Sequence, residues 1–557
     1  MRWLSPQFPN VMPIAFKHHS RKLEKLWSWS LGLGVLLGAV VSSPALGADS
    51  LTVSLAGITI TATTQDLTGF SQTGELPANL APLGTFLSAG DLAALRSALQ
   101  QKITFPTEGT SQLLNTPAGQ RVLNVLGQFI QTSNRQSGAS GLKTALIQAA
   151  QAPQGLTLLG VIENFPDATI NIDAAQAIPL VNAIFSEIST TKAVINIVNQ
   201  QSQTALAKSP NLPSTLVDLT APGPNTWQVQ SLTLNNKTAN FQFPVTLYVP
   251  NISGTIPLVV ISPGLGEDLN TFAYLAEHLA SYGFGVAILD HPGSDATRQT
   301  EFLAGKIPEE ILPQEFINRP QSISVTLDYL AQLSKVKFNT QTVGLLGHSF
   351  GGYDTWALAG ATQDSTTLTA ACQNPETIIK PSVILDCKVT RLPGPLPNFR
   401  DSRIQAAMAI NPIGGTIYGS TGFQAIQIPM LVLAGSEDFI APPLVEQFQP
   451  FSRLSSAPKY LVLLNGGTHM STMGDLPPEN SPNALPPFVV GSDPGIARNQ
   501  LQAVTVAFMQ AYINGQSNFQ AYLSPAYLAK LSQPQMKATL TQSLTPDQIE
   551  AAASPPK

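Results

Sequence analysis

Charge is scarce in this 557-residue chain: Asp, Glu, Lys and Arg together make up 11% of it, against 43% apolar residues. That balance excludes a disordered chain, which would carry the opposite proportions. The net charge is −5 and no long basic run occurs, so nucleic acid is excluded as a partner. Cysteine is scarcer still, with only Cys372 and Cys387. No Cys/His ligand cluster and no H-E-x-x-H motif occurs, so neither a metal nor an organic cofactor is implied. Long apolar runs are missing too. The one apolar stretch near the N-terminus, Leu31 to Val41, is too short for an ordinary membrane span. No internal repeat is evident.

The N-terminus reads as an export signal over residues 1–48. Arg2, Lys17, Arg21, Lys22 and Lys25 form a basic region, the apolar stretch follows, and Ala45-Leu46-Gly47-Ala48 supplies small residues for cleavage after Gly47 or Ala48. Met12 is an alternative start, and an uncleaved anchor or a buried helix is the alternative reading. No Cys follows the apolar run, unlike a lipoprotein signal. After cleavage no stable membrane span remains. Export brings oxidising conditions, under which Cys372 and Cys387 are expected to pair. The bridge would close a loop of about 15 residues, worth about 3 kcal/mol in the chain-entropy model. Two free buried thiols are the alternative.

The length suggests two folded domains. Residues 49–206 read as a smaller, mainly helical domain. Leu51 to Ala62 is β-rich, and Leu92, Leu95 and Leu99, then Val122, Leu123, Leu126 and Ile130, fall at helical spacing. Asp91 stands where the first of these helices would be capped. This domain contains no His or Cys and no catalytic motif. Residues 207–226, with Pro210, Pro213, Pro222 and Pro224, read as a linker. From 227 to 515 apolar strand runs such as Ile256–Ser262, Gly285–Leu289, Thr342–Gly347 and Met430–Ala434 alternate with amphipathic helices. That rhythm predicts an α/β class domain, a mostly parallel sheet covered by helices on both faces. The segment at about 360–400 breaks the rhythm and reads as an insertion holding both cysteines. Residues 516–557 are expected to form a helical tail.

Gly347-His348-Ser349-Phe350-Gly351-Gly352 lies between a strand and a probable helix, the context of a G-x-S-x-G nucleophile elbow. A Ser hydroxyl needs a base. Four His remain beyond the export signal: His278, His291, His348 and His469. His469 alone follows Ser349, in a loop after the last predicted strand. His348 is badly placed to reach its own neighbour, His278 reads as a surface residue of a helix, and His291 reads as turn and pocket wall. The acid that orients the base must lie between Ser349 and His469. Asp354, Asp364, Glu376, Asp386, Asp401 and Glu446 fall mostly in the insertion or on helices. Asp438 directly follows the strand MLVLA, at the carboxyl edge of the sheet, with Glu437 as the neighbouring alternative. Phe350 N–H and the N–H of Leu265, in Ser262-Pro263-Gly264-Leu265-Gly266, are the oxyanion donors expected.

These motifs resemble the α/β-hydrolase family, and more narrowly the dienelactone-hydrolase and platelet-activating-factor-acetylhydrolase-like esterases. The resemblance covers about 227–515 and rests on the elbow and on Pro263-Gly264-Leu265-Gly266. It departs at two points. Dienelactone hydrolases use Cys where Ser349 stands, and the acetylhydrolase acid position corresponds to Asn411, which cannot be an anion. Thr73-Gly74-Glu75-Leu76, Asn115-Thr116-Pro117-Ala118-Gly119 and Gly155-Leu156-Thr157-Leu158-Leu159 resemble a domain of unknown function fused to such hydrolases in cyanobacteria. That resemblance implies the periplasm or thylakoid lumen as destination, with secretion as the alternative.

The reading is therefore a serine hydrolase acting on a small-molecule or lipid ester through an acyl-enzyme. A peptidase or thioesterase with the same triad is the alternative within enzymes, and a binding protein on a hydrolase fold is the alternative outside them. The sequence names no protein partner. The insertion is expected to fold over the carboxyl edge of the sheet as a cap, with Ile378, Ile379, Val383, Ile384, Leu385, Leu392, Leu396 and Phe399 facing an acyl pocket; a surface excursion is the alternative.

Overall fold

The computed structural model describes residues 47–554, apart from 56–57, 82–83, 85–87, 104–106, 153–154, 210, 213–215, 378–379, 475, 477–486 and 492. All but the last two residues of the expected export signal, together with Pro210, Pro213, Ile378 and Ile379, lie outside the described residues.

In the N-terminal unit, β1 (Ser50–Leu55) pairs with β2 (Ile58–Thr63). The sheet continues through β3 (Ile130–Gln131) and β4 (Thr169–Asp173) in the order β2-β1-β4-β3. Helices cover it. α1 (Ala89–Gln100) starts two residues ahead of Asp91, so that residue is not its cap. α2 (Pro117–Phe129) starts as the sequence dictates, with the Thr116 side chain accepting Gly119 N–H and Pro117 in the first turn. Leu67, Leu123, Leu126, Leu146 and Phe165 are buried between these elements.

The helix that follows, α3 (Ala174–Lys208), is 35 residues long and belongs to both halves of the molecule. Asp173 caps it by accepting from Ala175 and Gln176 N–H. Its first turns bury Ala174, Ala177 and Leu180 in the N-terminal core, and its later turns bury Val194 and Val198 in the core of the larger unit. The stretch after it is not a free tether. Leu219 is buried and its C=O accepts from His278 Nε2 at 2.9 Å, while Tyr522 and Tyr527 hydroxyls accept from Val217 and Leu219 N–H. His278 is thereby a buried residue rather than a surface one.

The larger unit is built on a nine-stranded sheet. Its strands are β5 (Trp227–Asn236), β6 (Phe241–Pro250), β7 (Ile256–Ser262), β8 (Gly285–Leu289), β9 (Phe338–His348), β10 (Ile404–Ile410), β11 (Met430–Gly435), β12 (Lys459–Asn465) and β13 (Lys537–Thr541). The order is β13-β12-β11-β10-β9-β7-β8-β6-β5. The six strands β7 to β12 run parallel; β6 and β13 run antiparallel to them, and β5 pairs antiparallel with β6 at the edge. Because side chains alternate along a strand, β7 sends Val259 and Ile261 to one face and Leu258 and Val260 to the other. The first face is covered by α4 (Ala273–Ser281) and by a late helix, Pro494–Tyr512. The second is covered by α5 (Glu315–Ala331), α6 (Phe350–Ala359) and the end of α3. The C-terminal segment is not only helical, since it supplies the edge strand β13.

The insertion holds α7 (Ser365–Gln373) and α8 (Pro381–Asp386), followed by a 3-10 turn over Cys387–Arg391. Cys372 and Cys387 form a disulfide with Cα atoms 5.6 Å apart. Val383 and, from the N-terminal unit, Val125 pack around it. Lys380 pairs with Glu187 of α3, and Arg391 grips Glu309 with two hydrogen bonds of 2.6 and 2.9 Å.

Candidate active site

The strand-to-helix turn between β9 and α6 is sharp because Ser349 sits at φ 54°, ψ −113°, a conformation that costs a residue with a Cβ roughly 1–3 kcal/mol. Its neighbours are glycines for a steric reason. A Cβ on Gly347 would lie 2.0 Å from Gly351 O, and one on Gly351 would lie 1.9 Å from Ser262 O. The turn is locked by Ser349 N–H donating to Ile410 O at 3.0 Å and Gly352 N–H donating to Ser349 O at 2.9 Å.

His469 arrives on the loop after β12. Its Nε2 lies 2.9 Å from Ser349 Oγ, and its Nδ1 lies 2.7 Å from Asp438 Oδ2. A carboxylate oxygen accepts, so Nδ1 carries the proton and Nε2 is left to accept from the Ser hydroxyl. The other oxygen of Asp438 accepts from Ile440 and Ala441 N–H at 3.0 and 2.8 Å, which fixes the carboxylate plane. Asp438 is buried, whereas Glu437 is exposed to solvent. The sequence pattern left both open; the geometry joins Asp438 to His469.

The loop after β7 lies directly on Ser349, since a Cβ on Gly264 would stand 3.1 Å from Ser349 Cβ. Gly264 N–H is taken by Glu267 Oε2 at 2.5 Å, and Gly266 N–H by Ser294 O at 2.8 Å. The N–H groups of Leu265 and Phe350 have no acceptor among the described residues.

A buried polar cluster supports this loop from below. Arg319, on α5, is 1% exposed. Its guanidinium donates to the Pro263 carbonyl, to Ser294 Oγ at 2.7 Å and to Asp354 Oδ2 at 3.0 Å, and it stacks 4.4 Å over the Phe350 ring. Ser262 donates to Asp354 at 2.7 Å and meets His291 Nε2 at 3.0 Å. Burial pushes Asp354 up to about 6 against the pull of Arg319. Burial, reinforced by Arg319, holds His291 well below its ordinary value, so this imidazole is neutral. His291 thus sits under the site and bonds to Ser262.

Sequence reasoning missed Glu267, Arg319 and the contacts of Asn411 and His348. Arg319 lies one residue before Pro320, which hides the first turns of α5 from a periodicity search. Asn411 Oδ1 accepts Gly435 N–H, and its Nδ2 donates to the carbonyls of Thr468 and His469. Where an acid would face the imidazole, an amide holds the backbone instead. The insertion touches the acid's loop: Ser382 N–H donates to Ile440 O at 3.1 Å. Asp386, at the end of α8, and Glu446 are both fully buried nearby. Burial and the Glu446 charge raise Asp386 well above the carboxylate range, and burial pushes Glu446 up to about 7. Among the described residues no group of three or more His, Cys, Asp or Glu is disposed to hold a metal ion, and no helix is long and apolar enough to cross a membrane.

Comparison with known proteins agrees with this architecture. Residues 47–173 match a family described as alpha/beta hydrolase of unknown function (DUF1400), and residues 257–393 match the alpha/beta hydrolase fold family. Cutinase 2 of Thermobifida cellulosilytica is 22% identical over 286 residues, half of this chain and 77% of the cutinase. Cutinase cut1 of Thermobifida fusca is 22% identical, and cutinase est1 of Thermobifida alba 21%, each over half of this chain and over 63% and 68% of the relative. The fold is the α/β-hydrolase fold, preceded by a unit with its own helices and small sheet.

Proposed function

We propose that this α/β-hydrolase-fold chain is an exported serine hydrolase that cleaves carboxylic esters through an acyl-enzyme. The observation that carries the reading is the unbroken run Ser349 Oγ, His469 Nε2, His469 Nδ1 and Asp438 Oδ2 at 2.9 and 2.7 Å, with two unsatisfied backbone N–H groups beside it. His469 takes the Ser349 proton as the hydroxyl oxygen attacks the ester carbonyl. Leu265 and Phe350 N–H groups receive the oxyanion, and Asp438 stabilises the imidazolium. The alcohol leaves with the proton that His469 returns. Water, deprotonated by the same imidazole, then releases the acid. The similarity to cutinases supports ester rather than amide bonds as substrate.

The finer kinship with dienelactone-hydrolase and platelet-activating-factor-acetylhydrolase-like esterases belongs to the same proposal and rests on the elbow and the Pro263–Gly266 loop. Asn411 at the acetylhydrolase acid position argues for Asp438 instead. Export is supported by the disulfide and by the basic and apolar pattern of the first 48 residues. The test is a panel of acyl esters of graded chain length, with peptide and thioester controls, beside fluorophosphonate labelling. Turnover of esters with labelling at Ser349 is expected. A wild type that takes no label and turns over nothing on the panel defeats the reading.

A further inference from the structure

His348 precedes the nucleophile and cannot serve it, yet it is 1% exposed and bonded at both ring nitrogens. Its Nε2 lies 2.9 Å from the carbonyl oxygen of His469. A carbonyl only accepts, so this nitrogen carries a proton. Its Nδ1 lies 2.5 Å from Glu267 Oε1, and the other Glu267 oxygen accepts Gly264 N–H at 2.5 Å. One side chain pair therefore touches three separate loops: the oxyanion loop through Gly264, the elbow through His348 itself, and the base through the His469 backbone. Asn411 Nδ2 donates to the same His469 carbonyl at 3.0 Å, so that oxygen is gripped from two sides. Glu267 also spends the Gly264 N–H, which leaves Leu265 as the loop's unsatisfied donor. Burial opposes a charged His348, but Glu267, the His469 carbonyl and the Asp438 charge together outweigh it and the net displacement is upward.

We infer that Glu267 and His348 are positioning residues for the reaction: by tying the oxyanion loop to the backbone of the base, the pair sets both groups against Ser349 at once. The inference rests on the serine-hydrolase reading above. Neither residue hydrogen-bonds to the reacting atoms, although the His348 ring lies against the His469 ring with centroids 4.9 Å apart. Their removal should let loop and base drift independently, and displacements of about 1 Å in such sites can cost up to about 100-fold in rate.

The experiment measures kcat and KM for a chromogenic short-chain ester, p-nitrophenyl butyrate, on the full chain, with thermal unfolding of each variant alongside. The variants are Glu267→Ala, His348→Ala, their double, Glu267→Gln and Ser349→Ala. Glu267→Ala and His348→Ala should each lower kcat by about 10- to 100-fold, with KM within about threefold of wild type. The double should be no worse than the worse single, because both cut the same tie. Glu267→Gln can still accept from Gly264 and donate to a neutral His348 Nδ1, and should regain most of the lost kcat. Wild-type kcat in either alanine variant overturns the inference. So does a loss confined to KM, an additive double loss, or a Gln variant as poor as the Ala. Alanine variants that do not fold would assign the pair to the fold, and overturn it as well. The Ser349→Ala control separates the two levels: activity surviving there defeats the serine-hydrolase reading, not the coupling alone.

Discussion

Ser349 occupies a backbone conformation that only its surroundings enforce, and the side chains around it have divided tasks that single substitutions can separate. Ser349→Ala should abolish ester hydrolysis apart from a residue supplied by binding and the oxyanion donors, measured as turnover of p-nitrophenyl butyrate. Asp438→Asn should lower kcat by about 10⁴-fold, since the wrong imidazole tautomer follows, while Glu437→Gln in the exposed neighbour should leave kcat unchanged. A reversed pair of results would move the acid by one residue. Asn411→Asp is expected to impair rather than replace Asp438: its carboxylate would meet the carbonyls of Thr468 and His469, acceptors facing an acceptor. The proposed nucleophile, base and acid, which the structure brings within hydrogen-bonding distance of one another, were legible in sequence because chain order and loop context constrain them tightly. Glu267, His348 and Arg319 were not, because Glu267 and His348 lie 81 positions apart, His348 and His469 121, and Arg319 lies 25 to 57 positions from its partners, and no local spacing encodes such pairs.

Elements show the same division. The central strands and their covering helices were readable from apolar runs, whereas β13 was not: Lys537–Thr541 alternates briefly, and its partner β12 is more than seventy residues earlier. The insertion is tied by the disulfide, so Cys372→Ala with Cys387→Ala should cost about 3 kcal/mol in urea unfolding under oxidising conditions, and nothing beyond the reduced wild type. The buried acid Glu446, which lies close to the insertion's Asp386, adds a pH dependence. Glu446 ionises near 4.5 when unfolded and near 7 in the fold. Between those values the unfolded chain has lost a proton that the folded chain keeps, so stability falls as pH rises, by a contribution on the order of 3 kcal/mol. Glu446→Gln should flatten the pH 5 to pH 8 slope of unfolding free energy; an unchanged slope would remove Glu446 as its origin. If the insertion lines the acyl site, Leu385→Ala and Leu396→Ala should shift chain-length preference while sparing short esters. Leu385 packs in the main core, so its loss should also lower stability by about 2–5 kcal/mol.

At the scale of the whole molecule the two units are joined by a rod rather than a hinge. Residues 207–226 were read as a linker from their prolines, and that reading overlooked that Leu212, Leu216 and Leu219 are apolar and dock on the first face of the sheet. α3 carries the join, with Asn199 bonding Asn465 and Thr539, and Gln201 and Ser202 bonding Thr541 and Leu540. Residues 209–557 produced alone should therefore lose cooperative unfolding, because the seats of Val194 and Val198 would open to water; a sharp, full-length-like transition in that fragment would contradict this. The same rod imposes an order in time. Its last turns leave the ribosome some 340 residues before the strand that receives them. Through all of that synthesis, and any transport that follows, the first unit carries an uncovered apolar stripe. Closure of this molecule waits for β13, the last strand of its sheet, and contacts that close so long a loop favour slow maturation by loop entropy.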